Sequence, residues 1–297
     1  MTATGSEPAF DSRHLGFSPD REGEIVERAR RLLDVLDVLT PFADALGVEL
    51  CRESYREHAE RIARDFTLPD WPVGRINLVE AAALDLFIRT LKPDTVVEVG
   101  VASGVSSAAL LSALSTVGGG EPPRLRSYDI MTHCYFDESR AVGEAVGVMV
   151  PHLASDQLLK RGGAKTAGDE LAPGSVSFAF IDANHGHPAP VADLIDLGPC
   201  LAPGAWVMLH DIRLSKAMLE RDPGSERQVY GAEVLFEGWE GEKVTGERFA
   251  SNIGAIRVDE PAMLTPENLK HIIDEAWETI ADSTHVRRTL GRGPEAP

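Results

Sequence analysis

The chain has 297 residues, 43% of them hydrophobic and 26% charged, and carries a formal net charge of −18 at pH 7. These values are ordinary for a soluble globular protein, while the acidity disfavours nucleic-acid backbones and anionic membranes as partners. No apolar run reaches the roughly 18–20 residues that a membrane span requires, and the N-terminal residues lack the basic-then-apolar order of a signal peptide. We therefore expect a cytoplasmic protein that binds neither nucleic acid nor membranes.

The N-terminal quarter of the chain contains helical patterns but no strand pattern. Residues 1–19 are polar and irregular, which predicts a flexible arm. Apolar residues recur at helical spacing over residues 21–39 and 49–65, so residues 20–75 are predicted to form a helical cap across the open end of a core domain. Two prolines and a glycine in Leu68 to Arg75 (LPDWPVGR) end this pattern. That loop is interpreted either as one wall of a substrate pocket or as a surface linker with a packed tryptophan.

The core domain, residues 76–286, alternates predicted strands and helices. Strands are predicted at residues 95–99, 125–128, 165–166, 176–181 and 205–209, and helices at residues 77–91, 105–114, 141–148, 155–161 and 188–201. This alternation indicates an α/β fold with a doubly wound, mostly parallel sheet. Segments 243–245 and 252–257 complete a seven-stranded, Rossmann-like sheet as an antiparallel pair, with helices predicted at residues 226–239 and 266–281. Residues 287–297 are predicted to be a flexible tail.

The turn after the first strand is the most informative short motif, and it reads EVGVASG from Glu98 to Gly104. It has neither the lysine of a phosphate-binding P-loop nor the G-x-G-x-x-G spacing of a dinucleotide site. An acid before G-x-x-x-G resembles the first motif of class I S-adenosylmethionine (SAM)-dependent methyltransferases, although an ordinary strand–helix turn can share the pattern. The resemblance implies that Glu98, Gly100 and Ser103 bind SAM.

Two further acids follow predicted strands. Asp129 ends the second strand, where a carboxylate can accept hydrogen bonds from both ribose hydroxyls of a nucleoside. Capping of the next helix is the structural alternative for Asp129. Asp169 ends the third predicted strand, and the resemblance to methyltransferases implies that it borders the adenine of SAM.

Asp182 and Asp211 end two adjacent predicted core strands, so their carboxylates are expected to converge beside the cofactor. Two carboxylates suit a hard divalent cation. His185 follows Asp182 by three residues, and a histidine beside such a cation could remove a proton from an acceptor hydroxyl. Two helix-capping aspartates and a loop histidine that bonds the backbone are the structural alternatives.

The segments FIDANHGH and LAPGAWVMLHDI resemble the metal-dependent O-methyltransferases of the macrocin and mycinamicin type. This resemblance implies that Asp182 binds Mg2+ or another divalent cation and that His185 is the general base. Members of that family carry two consecutive acids after the fifth strand, whereas this chain has His210–Asp211. Asp211 is therefore the matching metal ligand. His210 is a further candidate ligand, with burial in the sheet as its alternative.

The sequence thus predicts a SAM-dependent methyltransferase that O-methylates a hydroxyl group of a small natural-product or sugar-like acceptor with the help of a metal ion. Methylation of a carboxylate or an amine is a second hypothesis. A SAM-binding protein without transferase activity and an NAD(P)-binding oxidoreductase are the competing functions. The three cysteines are widely spaced and form no Cys-x-x-Cys pair, which fits reduced thiols. An assembly of identical subunits is compatible with the sequence.

Overall fold

A computed structural model describes residues 21–216, 230–275 and 284–291. The predicted arm at residues 1–19 and the end of the predicted tail at residues 292–297 lie outside the described residues, as do parts of two predicted helices. The described strands are β1 (Val96–Val99), β2 (Leu125–Asp129), β3 (His133–Cys134), β4 (Asp137–Ala141), β5 (Gln157–Arg161), β6 (Val176–Ile181), β7 (Leu201–His210), β8 (Lys243–Thr245) and β9 (Ile253–Val258).

The described α-helices are α1 (Arg21–Asp34), α2 (Thr40–Ala45), α3 (Arg56–Asp65), α4 (Leu78–Leu91), α5 (Val105–Leu114), α6 (Glu144–Met149), α7 (Ala164–Glu170), α8 (Ala189–Leu197), α9 (Gly231–Gly238), α10 (Lys270–Ile273) and α11 (Thr284–Thr289). The helix α4 begins at a capping box, in which the Asn77 side chain accepts hydrogen bonds from the first turn and Glu80 accepts one from the Asn77 N–H. None of the helices among the described residues is long and apolar enough to cross a membrane.

Seven strands form one sheet in the order β5–β2–β1–β6–β7–β9–β8, and β9 runs antiparallel to both of its neighbours. The remaining pairs in the sheet are parallel. This arrangement confirms the predicted doubly wound, mostly parallel fold. Because all parallel strands point the same way, the ends of β1, β2, β6 and β7 lie at one edge of the sheet. That edge carries the candidate site.

Successive strand residues bury their side chains on opposite faces of the sheet. In β1, Val96 belongs to the core cluster that contains α4 and α5, whereas Val97 and Val99 belong to the cluster that contains α7, α8 and α9. A strand buried on both faces reads as a continuous apolar run, and this explains why β1 and β6 were predictable. Glu98 breaks the run and points to the same face as Val96.

The sequence predicts that the N-terminal helices lie across the open end of the sheet. In the structure they instead pack against the helical layer. The helix α3 contacts α1, α4 and α5, and α2 contacts α4 and β8. Their buried side chains, Leu32, Phe42 and Ile62 among them, share one core cluster with Phe178 and Phe180 of the sheet. Burial of apolar surface against the helical layer thus decides their position. The domain boundary at residue 75 stays a prediction.

Three predicted elements were wrong. The third strand is Gln157–Arg161 rather than residues 165–166, and the helix predicted over residues 155–161 is this strand preceded by the 3-10 helix Pro151–Asp156. Residues 165–166 lie in the helix α7. The predicted tail begins within α11. Val286 of this helix and Leu290, which follows it, are buried in the second core cluster.

Candidate active site

A buried carboxylate, that of Glu98, lies directly before the glycine turn that follows β1. Glu98 is fully buried, and its two oxygens accept hydrogen bonds from the hydroxyls of Ser106, Ser107 and Ser127, each 2.6 Å long. Burial raises the pKa of Glu98 to about 7, against the three hydroxyl bonds, which lower it. In this conformation Glu98 supports the turn and is shielded from solvent, and its direct contact with SAM stays a prediction.

The two glycines of the turn are required by chain packing. Gly100 has φ +88°, and a Cβ there would collide with the backbone of Asp182 and Ala183. Gly104 also has φ +88°, and a Cβ there would lie 2.8 Å from the Cα of Gly143. Both positions thus need glycine for a left-handed backbone and for close approach of a neighbouring segment. Gly100 brings the β1 turn directly against the residue that follows β6.

Asp129 ties the end of β2 to the same turn. Its Oδ2 accepts hydrogen bonds from the backbone N–H groups of Val101 and Ala102, both 3.0 Å long, and its Oδ1 accepts one from Met131, 2.8 Å long. Asp129 is only half-buried, so the carboxylate keeps a solvent-facing side at the sheet edge. Ser103 is buried in the turn at 3% exposure. Their contacts with SAM stay predictions.

Asp169 is not at the sheet edge. It lies on the helix α7, its side chain is 61% exposed, and it pairs with Lys165 one turn earlier on the same helix. The prediction that it borders adenine depended on a third strand at the wrong place. The residue that follows the true third strand is Gly162, whose N–H donates to the backbone oxygen of Asp129.

The structure brings Asp182, His185 and Asp211 together at the ends of β6 and β7. The Nε2 of His185 lies 3.1 Å from Oδ1 of Asp182, and its Nδ1 lies 3.4 Å from Oδ2 of Asp211. One ligand atom from each of the three residues can be chosen so that all lie within 4.8 Å of one another. Such spacing permits a single cation to contact all three groups. This cluster is the centre of the candidate site.

The charges within the cluster are strongly linked. Burial would raise the pKa of Asp182, but the charges of His210 and His185 and the hydrogen bond from His185 outweigh burial and hold that pKa below its usual range. Burial would lower the pKa of His185, but the hydrogen bond to Asp182 and the negative charges of Asp211 and Asp182 raise it. Without a cation, the two carboxylates therefore favour a protonated His185.

His210 lies behind this cluster and is only 5% exposed. Its Nδ1 is 3.3 Å from Oδ2 of Asp182 and 3.6 Å from Oδ1 of Asp211, and its Nε2 is 3.5 Å from Oε2 of Glu80. Burial would lower the pKa of His210, but the charges of Asp182, Asp211 and Glu80 raise it well above its ordinary value. His210 is both buried in the sheet and directed at the acids, so the two interpretations of this residue are compatible.

Asn252 contacts the candidate metal ligand Asp211 and was not predicted from the sequence. Asp211 has φ +62°, a conformation that few residues other than glycine adopt. The Nδ2 of Asn252 donates a 2.6 Å hydrogen bond to Oδ1 of Asp211, and its Oδ1 accepts from the N–H of Arg213 at 3.1 Å. Asn252 thus holds the Asp211 carboxylate in place from the turn that precedes strand β9. No short-range sequence signal connects two positions so far apart in the chain.

A hairpin and a loop form an aromatic rim near the cluster. Phe136, between β3 and β4, has its ring centroid 6.4 Å from that of Trp71 and 5.1 Å from that of Tyr135. The guanidinium of Arg140 lies 4.9 Å from the Trp71 ring centroid. Partial burial and the charges of Asp182 and Asp211 raise the pKa of Tyr135. We call Trp71, Tyr135 and Phe136 the aromatic rim.

A comparison with protein-family models places the turn and the acid cluster in one family. Residues 97–212 match the model of a methyltransferase domain. The protein carries a SAM-dependent methyltransferase domain. The match runs from β1 to the residue after Asp211, so this methyltransferase domain includes the glycine turn, Asp129, Asp182 and His185. No curated protein matches the chain.

Solved structures similar to this methyltransferase include three enzymes. The O-methyltransferase from Bacillus cereus in complex with SAH is 13% identical, with 76% of this chain and 99% of that chain covered and a TM-score of 0.47. The Podospora anserina methyltransferase PaMTH1, bound to SAH, is 13% identical, with 86% and 100% covered and a TM-score of 0.47. The O-methyltransferase TomG from Streptomyces achromogenes, involved in tomaymycin synthesis and in complex with SAM, is 20% identical, with 75% and 96% covered and a TM-score of 0.44.

The donor atoms of the methyltransferase site fit a divalent cation. Asp182 and Asp211 supply carboxylate oxygens, which hard cations prefer. Neutral imidazole nitrogens of His185 and His210 are suitable additional donors. The buried Nδ1 of His210 has no hydrogen-bond partner among the described residues, although it lies within ion-pair distance of both acids. A polar atom left in that state is costly unless something binds it.

Proposed function

We propose that this methyltransferase transfers the methyl group of SAM to a hydroxyl oxygen of a small molecule, with a divalent cation held by Asp182 and Asp211. The observation that carries the proposal is the convergence of these two acids with His185 at the sheet edge that also bears the glycine turn. SAM supplies an activated methyl group, and a cation at the acids would orient the acceptor oxygen and lower the pKa of its hydroxyl.

The protein's own contribution is alignment and proton removal. Methyl transfer from a sulfonium needs the acceptor oxygen in line with the breaking S–C bond, and positioning of this kind can supply much of the rate enhancement. As the C–O bond forms, the hydroxyl proton has to leave, and His185 accepts it at a ring nitrogen. His185 is the candidate for this role because it lies beside both proposed metal ligands and its side chain is 39% exposed. No covalent enzyme intermediate is needed.

We propose that SAM binds at the carboxyl ends of β1 and β2. Asp129 is proposed to accept hydrogen bonds from the ribose hydroxyls on its solvent-facing side. Ile130, the next residue, is 68% exposed and Met131 is 51% exposed, and this apolar surface suits the adenine ring. Ser103 and the backbone of the turn at Gly100 would contact the methionine part of SAM.

The aromatic rim is proposed as one wall of the acceptor site. Tyr135 is 66% exposed although it is large and aromatic, and it lies near both candidate metal ligands. Flat aromatic surface next to a cation-binding cluster suits a sugar-like or other small natural-product acceptor that stacks on the ring and directs a hydroxyl at the metal. The net charge of −18 supports a small molecule over nucleic acid as acceptor.

Cys51, Cys134 and Cys200 are free thiols, and on that ground we also propose a cytoplasmic location.

The test is a methyl-transfer assay with purified protein and SAM labelled in its methyl group. Acceptors that carry a diol, a carboxylate or an amine are compared, and formation of S-adenosylhomocysteine is measured with a chelator and after addition of Mg2+ or Mn2+. We expect transfer to the hydroxyl acceptors and dependence on the cation. Transfer to the carboxylate or amine acceptors alone would identify the second hypothesis as correct. Undiminished transfer with the chelator would remove the cation from the proposal.

A further inference from the structure

Behind the acid cluster, a buried carboxylate faces a buried histidine. Glu80 is 2% exposed and His210 is 5% exposed, and Oε2 of Glu80 lies 3.5 Å from Nε2 of His210. The same Glu80 oxygen accepts a 2.7 Å hydrogen bond from the backbone N–H of Asn77 at the start of α4. Glu80 therefore belongs at once to the capping box of a helix and to the back of the candidate site.

The two nitrogens of His210 have unlike surroundings. Nε2 faces the Glu80 carboxylate, an acceptor that favours a proton on this nitrogen. Nδ1 faces the oxygens of Asp182 and Asp211 at 3.3 Å and 3.6 Å but forms no hydrogen bond among the described residues. With a cation bound between the two acids, a His210 imidazole that keeps its proton at Nε2 would direct its Nδ1 lone pair at that cation. The cation would give that lone pair a partner.

We propose that Glu80 fixes the orientation and tautomer of His210, so that His210 supplies a nitrogen ligand to the cation and the site prefers a first-row transition-metal dication to Mg2+. This inference rests on the proposed cation-assisted function. Histidine ligands are commonly oriented by a carboxylate that accepts a hydrogen bond from the other ring nitrogen. Imidazole suits transition metals, whereas Mg2+ prefers an all-oxygen environment. Glu80 is thus a positioning residue, and it does not contact the acceptor or SAM.

The capping box alone does not explain a charged residue at position 80. Glutamine serves in a capping box as well as glutamate does, and a buried carboxylate is costly unless a positive or hydrogen-bonding partner offsets its desolvation. The backbone N–H of Asn77 donates to Oε2 of Glu80, and Nε2 of His210 faces the same oxygen. The pairing with His210 therefore accounts for the acid.

The experiment measures binding of Mn2+ and Mg2+ to the chelator-treated full-length protein by calorimetry, in the wild type and in Glu80→Gln. Glu80→Gln keeps the side-chain size and the cap but removes the anion beside Nε2. We expect the wild type to bind Mn2+ more tightly than Mg2+, and Glu80→Gln to lower Mn2+ affinity about 10- to 100-fold. Asn77→Gly is the matched control, because it weakens the start of α4 and leaves both Glu80 and His210 in place. Its Mn2+ affinity should equal that of the wild type.

Pulsed electron paramagnetic resonance of bound Mn2+ identifies the nitrogen ligand. We expect a coupling to a coordinated 14N nucleus that persists in His185→Ala and disappears in His210→Asn. Unchanged Mn2+ affinity in Glu80→Gln, an equal loss in Asn77→Gly, or a coupling that disappears in His185→Ala would each overturn the inference while leaving the cation-assisted reaction standing. A wild-type protein that binds neither Mn2+ nor Mg2+ would overturn the inference together with the cation in the proposed function.

Discussion

The Nε2 atom of His185 lies 3.1 Å from Oδ1 of Asp182, so the proposed base and a proposed metal ligand are in direct contact. The carboxylates around His185 outweigh its burial and raise its pKa in the cation-free protein. A bound cation repels the imidazolium and moves the pKa in the opposite direction. The proton affinity of the base is thus coupled to occupancy of the metal site.

This coupling predicts the pH dependence of turnover. Only neutral His185 accepts a proton, so kcat with saturating cation should rise with pH through an apparent pKa, and that pKa should be lower than the one found for His185 by NMR in the cation-free protein. His185→Gln should lower kcat by roughly 10²–10⁴ with little change in SAM affinity, because glutamine forms hydrogen bonds but does not take the proton. A glutamine variant with near-native kcat would show that His185 only positions the acceptor.

Removal of either candidate metal ligand should abolish cation rescue. Asp182→Asn and Asp211→Asn each replace an anionic oxygen donor with a neutral amide, which weakens binding of a hard cation. After chelation, we expect added Mg2+ or Mn2+ to restore activity in the wild type and in neither variant. Asp169→Asn is the control, because the exposed Asp169 on α7 is remote from the sheet edge and should behave as wild type. Full rescue in Asp182→Asn or Asp211→Asn would assign a structural role to that acid.

Asp129 should contribute to SAM affinity. Asp129→Ala removes a charge-assisted acceptor at the proposed ribose position, a loss of roughly 1.5–3 kcal/mol or about ten- to hundredfold in the dissociation constant. The change also frees the N–H groups of Val101 and Ala102, so the thermal midpoint of the unliganded variant has to be measured beside the calorimetric SAM titration. Unchanged SAM affinity in a folded Asp129→Ala variant would restrict Asp129 to supporting the turn.

Glu98 should make the stability of the protein depend on pH. A carboxyl whose pKa rises from 4.5 to about 7 on folding favours the folded state fully below pH 4.5, and this advantage is lost as the pH rises through 7. The loss is on the order of 3 kcal/mol. Denaturant unfolding of the wild type and of Glu98→Gln from pH 4 to pH 8 checks this. The glutamine variant should show a flatter profile over that range, and parallel profiles would mean that Glu98 stays ionised.

The aromatic rim should affect the acceptor and not the cofactor. Tyr135→Ala removes the exposed ring near Asp182 and Asp211, so we expect KM for the acceptor to rise with SAM affinity unchanged. The loss of one aromatic contact corresponds to about 1 kcal/mol, or roughly fivefold in KM. Tyr135→Phe keeps the ring and serves as the control. Equal effects of both variants would move the role from the ring to the hydroxyl group.

The sequence predicted the buried strands well and the outermost strand β5 poorly. Val176–Ile181 is apolar except for Ser177 because it is covered on both faces, and its predicted limits match β6. Gln157–Arg161 lies at the sheet edge, where its side chains are half-buried or exposed, and no apolar run reveals it. Lys165 and Thr166 of α7 were assigned to the strand instead, and Asp169 was therefore expected at its end.

The same distinction applies to the candidate site. Asp182 and Asp211 each follow a recognisable buried strand, so their meeting at one sheet edge follows from parallel topology. Glu80, Asn252 and Tyr135 belong to a helix, to the turn before the antiparallel strand β9 and to a hairpin. Their positions depend on tertiary packing between distant segments, and a single sequence has no local pattern that records such contacts.

The serine hydroxyls that bond Glu98 and the carboxylate of Asp129 that bonds the turn have a kinetic consequence. Because the protein's own groups hold the turn, the turn keeps its shape without SAM. Release of S-adenosylhomocysteine therefore requires no refolding of the turn before the next SAM binds. The amide protons of Val101 and Ala102 should accordingly exchange slowly with deuterated water in the empty protein as well as in the liganded one.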